Sequence, residues 1–115
     1  MKRINAFILL VLLLVACGGL NSPKKVATAF TENMAHGKIE EAKQLATGTT
    51  AQMIDFISGM GRMPVEPSFK FHYLRDSIVG DEAWVFYDNA ISKKEEYVHL
   101  VKIEGKWKVH MENKK

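Results

Sequence analysis

The strongest constraint on the fold is a change of period near residue 67. Before it, apolar residues recur every three or four positions; after it, they alternate. Val26, Ala27, Phe30 and Met34 lie on one face of a helix that Ser22 can cap and Pro23 can open. Gly37 supplies the left-handed residue that closes it. A second helix is expected over residues 38–47, with Ile39, Ala42, Leu45 and Ala46 inward and Gly48 ending it. Thr49 and Gln52 form a capping box for a third, which carries Met53, Ile54, Ile57 and Met60. Residues 59–67, with two Gly and two Pro, separate this half from the next.

Beyond that loop, Phe69, Phe71 and Tyr73 alternate with Lys70, His72 and Leu74, which reads as a strand. Gly80-Asp81 is a hairpin turn with Gly where a type II′ turn needs it. The return strand covers residues 82–89, and a polar connection over 91–95 leads to a third strand at 96–103. Glu104-Gly105 then turns the chain into a fourth strand at 106–111. The expected fold is α+β, three N-terminal helices packed on a curved four-stranded antiparallel sheet.

Counting outward from Glu104-Gly105 pairs Ile103 with Lys106, Leu100 with Val109 and His99 with His110. Val98, Leu100, Trp107, Val109 and Met111 then share the core face, and both histidines join the solvated one. The same count from Gly80-Asp81 puts Leu74, Ile78, Ala83, Val85 and Tyr87 on one face. Phe71, Tyr73, Trp84 and Phe86 fall on the other, which makes them candidate residues for a dimer or protein interface. The plainer reading is that these aromatics lie flat on the sheet surface.

The chain starts with an address. Lys2 and Arg3 precede an apolar run over residues 6–16, which as a helix spans about 16 Å, half a bilayer core. That suits a secretory signal and is too short for a membrane anchor. The run ends in Leu14-Val15-Ala16-Cys17, which resembles the lipobox of bacterial lipoproteins. The resemblance implies cleavage after residue 16, acylation (palmitate or a similar chain) of Cys17, a tether over 17–22 and one domain over 23–113. It also accounts for a single Cys in an exported chain. Membrane attachment through Cys17 in the cell envelope is therefore expected. Gly18, where an Asp would signal inner-membrane retention, favours the outer membrane of a two-membrane host. Without Lys2 and Arg3, fourteen basic residues face thirteen acidic ones, and the full chain carries only +3, so no nucleic-acid partner is expected.

Further motifs extend the likeness. They are Val26-Ala27-Thr28-Ala29-Phe30, a Gly-Lys-Ile-Glu-Glu-Ala second helix, Val79-Gly80-Asp81-Glu82-Ala83-Trp84-Val85 and the segment from Leu100 through Trp107 to Val109. Together they resemble an uncharacterised family of small bacterial lipoproteins in the nuclear transport factor 2-like (cystatin-like) superfamily. The resemblance spans residues 22–111 and implies a cone of helices in the hollow of a bent sheet. In larger members the cone holds a small ligand, an enzyme site or a dimer interface, and a chain this short leaves less room for one.

Isomerases and dehydratases of that superfamily use an Asp or His with a Tyr donor, for which His72, Asp76 and Tyr87 are the weak candidates here. His99 and His110 are the one metal-like pair, lacking a third ligand and crowded by Lys106 and Lys108. Phosphate loops, Ser-His-Asp sets and nucleophilic Cys motifs are absent, so no cofactor is expected. Lys106, Lys108, Lys114 and Lys115 form a solubilising face, or one that approaches anionic headgroups. The reading that follows is a lipid-anchored, non-enzymatic binding module whose partner is a second copy or an envelope protein. An immunity or exclusion lipoprotein is one version; a small-molecule-binding or isomerase-like cone is the alternative.

Overall fold

A computed structural model describes residues 21–61, 63–90 and 92–111. The signal over residues 1–16, the acylated Cys17 and most of the tether lie outside the described residues, as do positions 112–113 of the expected domain. No helix among the described residues is long and apolar enough to cross a membrane.

Helix α1 spans Pro23–Ala35, capped by the Ser22 side chain, which accepts from the Lys25 N–H. Gly37, at φ 82°, turns the chain out of it. Helix α2 (Ile39–Gln44) is shorter than the apolar pattern suggested, and α3 (Gly48–Gly59) starts earlier. The reason is a competing set of backbone bonds. The Thr47 N–H donates to the Val109 carbonyl at 2.9 Å, and the Val109 N–H to the Leu45 carbonyl at 2.8 Å. Residues 45–47 therefore leave the helix to form a parallel bridge beside the last strand. Gly48 consequently opens α3 instead of ending α2. The cap is Thr47, whose side chain accepts from Thr50 N–H, and not the Thr49–Gln52 box.

Four antiparallel strands follow in the order of the chain: β1 (His72–Val79), β2 (Glu82–Asn89), β3 (Lys94–Ile103) and β4 (Lys106–Val109). Gly80 has φ 60°, as a type II′ turn requires, while Glu104 and Gly105 are both positive, the signature of type I′. β3 begins at Lys94, earlier than expected, and β4 ends at Val109, two residues short of Met111. The β3–β4 register matches the count, with Leu100 opposite Val109 and Ile103 opposite Lys106.

The first hairpin departs from its count. From Val79↔Glu82 to Arg75↔Phe86 the pairs hold, but the next is Tyr73↔Tyr87, which leaves Leu74 as an extra residue. One inserted residue exchanges the faces of everything before it. Phe71 and Tyr73 accordingly turn to the core side, where Phe71 stacks on Tyr87 with centroids 4.5 Å apart. The four aromatics expected to share one face thus divide, with Trp84 and Phe86 alone on the outer side.

The core lies between the helices and one sheet face. Val26, Ala27, Phe30, Ala42 and Ile54 pack with Ala83, Val85, Leu100, Trp107 and Val109. Helix α1 runs the length of that face. Asn21, just before it, is bonded to Gly105 and Trp107 at the end carrying both hairpin turns, and Ala35 accepts from Glu66 N–H at the other.

Candidate binding cleft

β4 pairs with β3 only over Leu100–Ile103, so the earlier part of β3 has β2 on one side and, among the described residues, no strand on the other. His110 N–H still donates to the His99 carbonyl at 2.9 Å, which continues the pairing by one step. In an antiparallel ladder the hydrogen-bonding residues on a given side alternate. The next two on this side are Tyr97 and Glu95, whose N–H and C=O groups point along the open edge.

A cleft of about 590 Å³ runs along that edge. Helix α1 contributes Phe30 and Met34, the sheet contributes Trp84, Tyr97 and Val98, and Met111 closes one side. The register puts Val98 on the core face and Trp84 and Tyr97 on the outer one, so the cleft wraps the edge. Its volume falls in the range of ordinary ligand sites. A short chain with four strands thus has room after all, because β4 stops early.

The polar part of the lining is specific. Trp84 and His99 stack with centroids 5.2 Å apart, and His110 meets His99 edge-on at 6.1 Å. His110 Nδ1 lies 3.0 Å from Thr47 Oγ1, and the Met111 N–H donates to Thr50 Oγ1 at 2.8 Å. These threonines fix the segment leaving β4. His99 Nε2 is buried and makes no hydrogen bond, although Glu82 Oε1 is 3.4 Å away. Both histidines lie on the outer face, as the count places them, and are half-buried in the wall of the cleft. Among the described residues no group of three or more His, Cys, Asp or Glu side chains is placed to hold a metal ion, so the pair gains no third ligand.

Of the proposed acid–base trio, His72 is separated from the other two. His72 pairs with Asp88, which by parity puts it on the outer face, away from Tyr87. Asp76 is exposed and hydrogen-bonds Tyr73, whose hydroxyl pKa is raised by burial and then by that carboxylate. Tyr87 donates to Glu96 Oε1 at 3.3 Å, and burial, with Glu96 beside it, pushes its pKa up to about 12. Asp76, opposite Val85, shares a sheet face with Tyr87, and Tyr73 neighbours both. The Leu74 bulge is what separates His72, since it reverses that residue's face.

No protein-family model and no curated protein sequence matches the chain. A solved structure does. It is a Campylobacter jejuni protein described as "Putative NTF2-like transpeptidase", with a TM-score of 0.54 and 16% identity over 79% of this chain and 99% of that one. The fold is nuclear transport factor 2-like. This agrees with the expected fold, three helices packed on a four-stranded antiparallel sheet. At such identity the likeness concerns the nuclear transport factor 2-like fold alone, which hosts unrelated functions. Sequence reasoning missed Glu82, Tyr97, Met34 and Thr47 as parts of one site. Their convergence depends on where β4 stops, and the visible signal was the apolar Met111 just beyond a strand of alternating residues.

Proposed function

We propose that this chain is a bacterial envelope protein held to a membrane through acyl chains on Cys17. Its domain acts as a non-enzymatic binding module that receives an extended protein segment in the cleft. The supporting observation is the pairing of an unfilled strand edge with an apolar trough. Tyr97 offers a backbone donor and acceptor there, while Met34, Trp84 and Met111 line the same trough. An added strand uses the backbone for affinity and alternate side chains for selectivity. Methionines suit such a role because they repack around different shapes. Trp84 remains an interface candidate in this reading. Phe86, tilted against Tyr97 with ring centroids 5.8 Å apart, supports the rim, and Phe71 and Tyr73 pack against the core.

The test is photo-crosslinking in bacterial cells with the full chain. A photoreactive residue at Tyr97 or Met111 is expected to give discrete protein adducts, whereas one at Phe56, 69% exposed on α3, gives none. Equal labelling at all three positions, or none, removes the cleft as the binding surface.

A further inference from the structure

We propose that the end of the sheet carrying both hairpin turns is a lipid-facing rim. The proposal deepens the reading of Cys17 as the acylated residue and rests on it. The two turns lie together, since Lys102 N–H donates to the Asp81 carbonyl at 2.8 Å. Asn21 is fastened to the same end. Its side-chain amide donates to the Gly105 carbonyl at 2.7 Å, and its side-chain oxygen accepts from Trp107 N–H at 3.2 Å. Cys17 precedes Asn21 by four residues, a span of at most about 14 Å even when fully extended. Acyl chains at Cys17 therefore keep this rim beside the headgroups, with no other partner needed to bring it there.

The rim's composition fits that neighbour. Val79 is 65% exposed, Ile78 54% and Ile103 46%, an unusual concentration of large apolar side chains at strand ends. Val79 and Ile103 share the outer face by register, opposite Glu82 and Lys106 respectively. Lys25, Lys102 and Lys106 stand exposed around them, against exposed Asp81 and Glu104. Glu82 is turned toward His99. Exposed apolar tips with lysines among them suit a bilayer interface, where the tips enter the acyl boundary and the ammonium groups stay in the headgroup layer. The far end of α1 and the start of β3 are then turned outward.

The experiment uses the full acylated chain, purified and reconstituted into vesicles of phosphatidylcholine with phosphatidylglycerol. Val79→Cys, Ile103→Cys and Val65→Cys are each labelled with a fluorophore, Cys17 being blocked by its acyl chains. All three native residues are exposed, and Val65 lies beside Gly37 at the opposite end. Spin-labelled lipid is expected to quench the labels at 79 and 103 at least threefold more than at 65. Lys102→Glu with Lys106→Glu, or vesicles of phosphatidylcholine alone, should reduce the difference. Equal quenching at the three positions overturns the rim. Protection of 79 and 103 from labelling in cells without quenching in vesicles assigns the rim to a protein and also overturns it. The intact mass of the same sample reads the anchor separately. An unacylated mass overturns the tether, while quenching by the acidic vesicles still decides the rim.

Discussion

Tyr73 stands directly opposite Tyr87 across β1 and β2, and the residue after it, Leu74, has no partner. That one unpaired residue turns Phe71 onto the Tyr87 ring and leaves Phe86 on the other side of the sheet under Arg75, whose guanidinium carbon is 4.3 Å from the ring centre. Phe71→Ala should therefore cost about 2–3 kcal/mol, near the lower end for a partly buried aromatic. Phe86→Ala should cost about 1 kcal/mol or less. Denaturant midpoints of the two variants check the difference, and equal losses contradict the bulge.

Asn21 supplies both a donor and an acceptor to the β3–β4 turn. Asn21→Ala should lower stability by about 1–2 kcal/mol, because the half-buried Trp107 N–H loses its partner. For a domain of this size that is a fall in Tm of roughly 4–16 °C. Calorimetry reads it directly.

Thr50 is fully buried, and its hydroxyl accepts from the Met111 N–H while lying 2.9 Å from Thr47 Oγ1. Thr50→Val keeps the shape and removes the acceptor. The expected loss is about 1–2 kcal/mol, together with faster amide exchange at Met111 than at Val109. Unchanged exchange at Met111 means that something else fixes the cleft wall.

Tyr87 gives a pH dependence of definite sign. Burial first and Glu96 second raise its hydroxyl pKa from the ordinary 10.0 to about 12. A group whose folded pKa is raised contributes stability that is complete below the unfolded value and disappears as pH climbs through the folded one. The Tyr87 contribution should thus be present below pH 10 and lost toward pH 12. Ultraviolet titration should show a phenol ionising in that upper range, and Tyr87→Phe should remove it.

Much of the architecture is visible in the residues. Ser22-Pro23, Gly37, Gly80-Asp81 and Glu104-Gly105 are local signals, and each is used as its chemistry suggests. The departures occur where distant backbone groups compete with local preference. Ala46 has good helical spacing yet leaves the helix because Val109 offers a bridge. Nothing local marks Leu74 as a bulge, since an apolar residue between Tyr73 and Arg75 also suits a regular strand. The cleft was the least legible feature. It combines α1, the open edge of β3 and the end of β4, so it exists only once those elements are assembled.

The bridge between residues 45–47 and Val109 also governs how the trough can respond to an occupant. Two main-chain bonds sew the helical layer to the margin of the sheet, and the α2–α3 connection is the seam. Opening that layer like a jaw would tear the seam. Accommodation must therefore come from rotamer changes in Met34, Tyr97 and Met111, within walls whose spacing is already set.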